Sequence, residues 1–256
     1  MSSVGAESGS DHLVSVRAPV GGVWLILPTY NEADNLEPLV RAVVPQLETT
    51  GLPHRVLIVD DDSPDGTGRV ADRLAAESDR VRVLHRAHKQ GLGRAYLAGF
   101  EIALEAGADR IMEMDADFSH DPADVPRLIA AADTADLVLG SRYVPGGGIT
   151  SWGLARRWVS RGGCAYARLV LGIPVHDLTG GFKCFNRRVL EALDLSGVHA
   201  NGYGFQIELT YKAVRAGFRV AEVPIVFRER REGTSKMTPP IALEAVWKVI
   251  ALRLTQ

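Results

Sequence analysis

Cysteine is scarce in this chain of 256 residues, which carries only Cys164 and Cys184. Their spacing suits neither a zinc site nor a CxxC redox pair. Both read as reduced thiols in or near a core, in keeping with a reducing compartment. No stretch of about 18 or more uncharged apolar residues occurs, so no segment is expected to span a bilayer, although attachment to its surface stays open. The opening residues, MSSVGAESGSDH, hold neither the basic nor the apolar region of a secretory signal. An excess of charge is missing too. With 29 Lys and Arg against 31 Asp and Glu, no global basic field points to nucleic acid, and an anionic ligand has to be met by local basic groups. No GxGxxG follows the first apolar run and no GKS or GKT occurs, which argues against a dehydrogenase and a P-loop ATPase.

Apolar material is ample. Hydrophobic residues make up 46% and charged residues 23%, enough to bury a full core. Residues 1–20 read as a disordered leader. Strand patterns follow at Val23–Leu27, Arg55–Asp60, Val81–His85, Arg110–Met114 and Leu137–Gly140. They alternate with helical patterns at Asn35–Glu48, Thr67–Ala76, Gly93–Ala106 and Pro122–Ala132. This alternation predicts an α/β fold, with a mostly parallel central sheet flanked by helices. The unbroken runs VWLIL and RVLIV suit strands buried on both sides. After a Gly-rich break at Pro145–Gly148 come a basic helical stretch, Trp152–Leu171, and a Gly180-Gly181 turn. A strand at Phe182–Asn186, a helix near Phe205–Ala216, a strand at Arg219–Pro224 and an apolar helix at Ile241–Leu254 complete the pattern. The reading is one catalytic domain over residues 21–238, whose later helices form a second half, and a C-terminal amphipathic helix within 239–256.

In an open α/β sheet, ligands bind at the carboxyl ends of the strands, and three polar clusters follow strands here. The first is Pro28-Thr29-Tyr30-Asn31-Glu32. Pro28 fixes the strand exit, Tyr30 offers a stacking face for a base or ribose, and Glu32 accepts hydrogen bonds from ribose hydroxyls or a base edge. The plain alternative is a turn into a helix capped near Asp34. The second is Asp60-Asp61-Asp62-Ser63-Pro64-Asp65-Gly66-Thr67, whose carboxylates are tolerable in solvent or against a ribose or base. The alternative there is a helix cap by Asp65 or Thr67. The third is Asp115-Ala116-Asp117. Two carboxylates two residues apart at a strand end can share a hard cation, and Mg²⁺ or Mn²⁺ would bridge them to a pyrophosphate and neutralise a leaving group. Asp121 then caps the helix from Pro122. The run Gln90-Gly91-Leu92-Gly93, with Lys89 nearby, eases a helix start close to a ligand. His54, His85, His176 and His199 read as structural or surface residues.

In this order along the chain, LPTYNE, VDDDSPDGT, DADFSHDP, GSRYVPGG and ERREGTSKM resemble the dolichol-phosphate or polyprenol-phosphate mannose synthases, members of glycosyltransferase family 2 with the GT-A fold. LARRWVSRGG, DLTGGFKCF and ERREGTSKM are the segments most diagnostic of the polyprenyl-phosphate group, and the resemblance runs from Val23 to Thr238. It implies transfer of mannose from GDP-mannose to a polyprenyl (dolichyl) phosphate with inversion. A polyprenyl-phosphate glucosyltransferase or related family 2 enzyme is the alternative, and an inactive nucleotide-sugar binding subunit a second. By the same resemblance, Pro28, Tyr30 and Glu32 hold the nucleoside, helped by Val59 and Asp61. Asp115, Ala116 and Asp117 sit on the diphosphate, with Asp117 a direct metal ligand. Arg142, Arg156 and Ser160 hold the acceptor phosphate, and Arg230 and Lys236 belong to a basic flap, Glu229–Lys236, that closes over the donor. Asp117, Arg142 and Arg230 are then the catalytic set. Some relatives have a Gln as a further metal ligand two positions past the second aspartate. Here that position is Ser119, a poorer ligand. Asp177, in HDLTGG, is a further candidate for positioning the acceptor-side loop or touching sugar hydroxyls.

The chemistry agrees with these implied roles. A phosphate monoester is anionic at neutral pH and needs no general base, so the carboxylate pair of glycoside hydrolysis is not required. The enzyme must bring two anions together, for which arginines pair bidentately with phosphate oxygens. Positioning and electrostatic stabilisation do the rest. A lipid acceptor keeps its tail in the bilayer, so the enzyme has to reach the membrane surface. At ~1.5 Å per residue, Pro240 to Leu254 is too short to cross ~30 Å of hydrocarbon. It suits a helix lying in the interface with Trp247 at headgroup depth, or one docked on the sheet or on a membrane-anchoring protein partner. Arg156, Arg157 and Arg161 either meet anionic headgroups on the same face or form a solvated helix face. The expected location is peripheral, on the cytosolic side of a membrane.

Overall fold

The computed structural model describes residues 12–13, 21–150, 152–198, 202–228, 247 and 249–254. His199, Arg230, Lys236, the expected flap Glu229–Lys236, most of the leader and the first part of the expected C-terminal helix lie outside the described residues.

The elements run β1 (His12–Leu13), β2 (Val23–Thr29), α1 (Ala33–Glu48), β3 (His54–Asp60), α2 (Thr67–Glu77), β4 (Val81–His85), α3 (Leu92–Glu105) and β5 (Arg110–Glu113). A 3-10 turn, Pro122–Asp124, then leads into α4 (Val125–Ala131), followed by β6 (Leu137–Ser141), β7 (Gly148–Ile149) and α5 (Leu154–Leu171). The described chain continues with β8 (Lys183–Asn186), α6 (Arg187–Ala192), α7 (Tyr203–Arg215), β9 (Val220–Pro224) and β10 (Val226–Phe227). Eight strands form one sheet in the order β1-β4-β3-β2-β5-β8-β6-β9. The β4-β3-β2-β5 block and the β6-β9 pair are parallel. β8 is wedged antiparallel between β5 and β6.

VWLIL is apolar throughout because both of its faces are covered. Val23, Leu25 and Leu27 join the core shared with α1, α2 and α4. Trp24 and Ile26 point the other way, into the core shared with α3, α6 and α7. The expected α/β architecture is therefore present. Sequence reasoning did not provide α6 or the small parallel β7–β10 ladder. Both are too short to show a hydrophobic period. Within the stretch read as leader, β1 pairs antiparallel with β4. Residues 247 and 249–254 are helical. Val249 is 3% exposed and joins the core, whereas Trp247 and Leu254 are 67% and 80% exposed, so this helix docks on one side and faces outward on the other.

The topology fixes where a ligand fits. The chain steps outward from β2 to β3 and β4, then returns to lay β5 on the opposite side of β2. That reversal leaves a crevice at the carboxyl ends of β2 and β5.

Candidate active site

A cleft of about 370 Å³ opens at this crevice. Pro28, Tyr30 and Glu32 line it from the end of β2, Asp61 from the end of β3, and Asp115, Ala116 and Asp117 from the end of β5. Each of the three loops turns on a non-glycine residue with left-handed backbone: Asn31 (φ 61), Asp62 (φ 59) and Phe118 (φ 60). Asn and Asp tolerate this region, and Phe does so rarely. Such strain gathers at functional loops that the surrounding structure holds in place.

The first two loops are tied together. The backbone N–H of Asn31 donates to Ser63 Oγ (3.1 Å), that of Glu32 to Thr67 Oγ1 (2.9 Å) and that of Ala33 to Asp65 Oδ2 (3.1 Å). The first amides of α1 are thus satisfied from the neighbouring loop, and the expected cap near Asp34 is not used. Asp65 also accepts the N–H of Thr67 (2.9 Å), so it serves both helix starts.

Asp61 is buried and fully engaged. It accepts from Arg86 Nη1 (2.5 Å) and from the backbone N–H groups of Gln90 and Gly91 (both 3.1 Å). Its carboxylate thereby shapes the loop that carries Lys89, whose Nζ stands 3.3 Å from the Tyr30 ring centroid. Val59 sits one residue before the end of β3. Its side chain is fully buried in the core and is not part of the cleft lining, because it points to the α3 face rather than the strand end.

Asp117 is buried, and its Oδ1 accepts the N–H of Ser119 (3.0 Å). The buried Ser119 hydroxyl has no hydrogen-bond partner among the described residues. His120 Nε2 lies 3.6 Å from Asp115 Oδ2, its ring held between Phe182 and Phe227 at 5.0 and 5.3 Å. Among the described residues, no three His, Cys, Asp or Glu side chains gather to hold an ion unaided. Two adjacent carboxylates with an orphan hydroxyl nevertheless fit a Mg²⁺-like cation, which binds one or two carboxylates and completes its shell with water and substrate phosphates.

The second cluster lies beyond Thr179, which also lines the cleft. Arg142 Nε donates to Asp177 Oδ2 (2.7 Å), and its Nη2 donates to Asp177 Oδ1 (2.6 Å) and to Thr179 Oγ1 (2.8 Å). The Arg142 backbone N–H also donates to Asp177 (2.9 Å). Burial pushes the Asp177 carboxyl up, but the charge and hydrogen bonds of Arg142 hold it below the ordinary carboxylate range. Asp177 is thus the anchor of Arg142. The Arg142 guanidinium lies 5.3 Å from the Phe227 ring, Trp152 packs edge-on to Phe227 at 5.5 Å, and Arg156 lies 4.1 Å over Trp152. Tyr143 Oη and Ser160 Oγ are hydrogen-bonded at 2.6 Å. Aromatic side chains therefore gather the three residues expected to meet the acceptor.

Several residues in or behind the cleft wall escaped sequence reasoning. Glu113 and Lys183 face each other across β5 and β8, both fully buried. Burial pushes Glu113 up to about 7 and Lys183 down to about 8, each shift offset in part by the other's charge. The available signal was a lone charge inside an apolar strand, as in Ile-Met-Glu and Phe-Lys-Cys-Phe. Thr179, Tyr203 and Gln206, all lining the cleft, carried no local pattern.

Residues 24–194 match the family model described as glycosyl transferase family 2. A polyprenol monophosphomannose synthase of Mycolicibacterium smegmatis is 47% identical over 248 residues, covering 95% of this chain and 91% of that protein. An undecaprenyl-phosphate mannosyltransferase of Micrococcus luteus is 48% identical over 231 residues, covering 89% and 92%. Among solved structures, glucosyl-3-phosphoglycerate synthase from Mycobacterium tuberculosis, in complex with Mn²⁺, UDP and glucosyl-3-phosphoglycerate, aligns with a TM-score of 0.65 at 23% identity, over 91% of this chain and 78% of that one. That likeness is one of fold. By the family match and by its close relatives, this chain belongs to glycosyltransferase family 2, built on the GT-A fold.

Proposed function

We propose that this chain transfers mannose from GDP-mannose to a polyprenyl phosphate, with inversion, using a divalent cation at Asp115 and Asp117. One observation carries the reading. A carboxylate pair suited to a cation-bridged diphosphate and a basic cluster anchored by Asp177 adjoin across Thr179. The names of the two bacterial relatives support the mannosyl and polyprenyl-phosphate parts, and the Mn²⁺ and UDP of the structural neighbour are in keeping with the cation.

Tyr30, with Lys89 resting on its ring, then meets the base, and Glu32 meets the ribose. When bound, the cation neutralises charge on the leaving diphosphate. Asp177 occupies Nε and Nη2 of Arg142, which leaves Nη1, with Arg156 and Ser160, for the acceptor phosphate. Arg230 and Lys236, outside the described residues, are assigned to the donor diphosphate. A phosphate oxygen attacks the anomeric carbon in line and the nucleotide diphosphate leaves, with no proton to remove. Labelled GDP-mannose, UDP-glucose and UDP-galactose, each offered with a polyprenyl phosphate and Mg²⁺ or Mn²⁺, test this. Lipid-extractable label is expected from GDP-mannose. Label from UDP-glucose would replace the sugar assignment, and nucleotide binding without transfer would mark a binding subunit.

The same reading places the protein peripherally on the cytosolic face of a membrane, where nucleotide sugars are made. Among the described residues, no helix is long and apolar enough to cross one. α5 carries Arg156, Arg157, Arg161 and Arg168 with no acidic residue, and it exposes Leu154, Trp158 and Val159. Such a face suits anionic headgroups. Wild-type protein should float with anionic liposomes. Trp158→Asp and Trp247→Asp should each lower the bound fraction, by about tenfold if the ring is buried in the interface. Equal flotation of all three proteins would rule out both helices as contacts.

A further inference from the structure

Gln206 has a side-chain amide that the fold leaves without a hydrogen-bond partner of normal geometry. It is 2% exposed and lines the cleft, yet neither Nε2 nor Oε1 has a hydrogen-bond partner among the described residues. The amide sits beside the Glu113 carboxylate without reaching hydrogen-bond geometry. Buried polar groups are nearly always satisfied, so an orphan amide at a cleft wall points to an absent partner. Its backbone is held firmly. Lys183 Nζ and Thr210 Oγ1 both donate to the Gln206 carbonyl, at 2.8 and 2.9 Å. A fully buried lysine thus fixes the start of α7 and, with it, the place of the amide.

The space in front of the amide is kept open by Gly181. A Cβ on Gly181 would lie 3.6 Å from Gln206 Nε2 and 3.5 Å from Asp115 Oδ1. Gly181 is not among the glycines with left-handed backbone, so its value lies in the room left by the missing side chain. An amide donor and a carboxylate acceptor facing one small space match the hydroxyls of a sugar.

We propose that Asp115, Gly181 and Gln206 form the subsite for the transferred hexose, in which Gln206 Nε2 donates to one hydroxyl and so selects the sugar. This rests on the reading that a nucleotide sugar occupies the cleft. A series of donors, each lacking one hydroxyl of the hexose, provides the test. The wild type should disfavour one member of the series by about 10- to 100-fold in kcat/KM. Gln206→Leu should abolish that discrimination and retain the others. Uniform slowing with every donor, or unchanged discrimination, would overturn the assignment.

Gly181→Ala adds a methyl at ordinary contact distance and needs no backbone shift, so it remains informative if Gln206→Leu fails to fold. It should weaken binding of the nucleotide sugar about tenfold relative to the nucleotide diphosphate alone. An equal change for the two ligands would count against the subsite. This binding ratio is read on GDP-mannose and GDP, or on UDP-glucose and UDP if the wild type selects those, and does not involve the acceptor. If the wild type makes no lipid product but the ratio collapses in the variants, the subsite stands and the transfer reading falls.

Discussion

Asp117→Ala is expected to reduce transfer at least about a thousandfold, since several kcal/mol of charge stabilisation disappear with the cation and each 1.36 kcal/mol is a factor of ten. Asp117 sits just beyond β5, buried, with Oδ1 braced by the Ser119 N–H, and its loss leaves Asp115 as the one carboxylate of the pair. Asp117→Asn retains the shape and an acceptor for that N–H but not the charge, and should be almost as inactive while remaining folded. EDTA should silence the wild type in the same way, with recovery on adding Mg²⁺ or Mn²⁺. Retention of a tenth of the activity in Asp117→Ala, or an active wild type in metal-free buffer, would remove Asp117 from the catalytic set.

Asp177→Ala should cost about 3–5 kcal/mol of stability, because it leaves the buried Arg142 guanidinium uncompensated. The pair is bidentate and nearly solvent-free, with a backbone N–H and Thr179 completing it. Removing both charges at once, as in Arg142→Met with Asp177→Leu, should recover much of that stability and still leave acceptor use crippled. The linkage has a definite sign. The folded carboxyl titrates below its unfolded value, so its stabilisation is complete above the unfolded pKa of about 3.9 and is lost as pH falls through the folded pKa. Urea unfolding at neutral pH should therefore separate Asp177→Ala widely from the wild type, and the gap should narrow in strong acid. A loss below about 1 kcal/mol at neutral pH would mean that Arg142 is held by something other than Asp177.

Much of the fold was legible because the strands carry their environment in their composition. VWLIL and RVLIV suit strands covered on both faces, and the loops that follow them hold the polar clusters that line the cleft. The DAD pair was legible for the same reason, since position at a strand end gives a common tripeptide its meaning. What was not legible depends on contacts distant in sequence. Asp61 reads as a free ligand group but is engaged by Arg86 and the loop at Gln90 and Gly91. Asp177 reads as a candidate for positioning a loop or touching sugar hydroxyls, and its tie to Arg142 shows only in the structure. Val59 looks like part of a motif, yet strand alternation turns it into the core. Gln206 shows no signal at all, because its meaning comes from the partners it lacks.

The antiparallel wedge β8 also bears on how the molecule is made. The strands β2 to β5 pair with one another, so each one after β2 finds a neighbour among residues already synthesised. β6 does not. Its partners in the sheet are β8 and β9, both later in the chain. As the chain leaves the ribosome from its N-terminus, the half carrying the carboxylate pair can therefore complete its sheet early. β6, with Arg142 just beyond it, must wait for residues 183–186 before it can be hydrogen-bonded in place. Birth order thus separates the two halves of the site: the wall with the carboxylate pair can be standing before the wall with the Arg142–Asp177 pair exists.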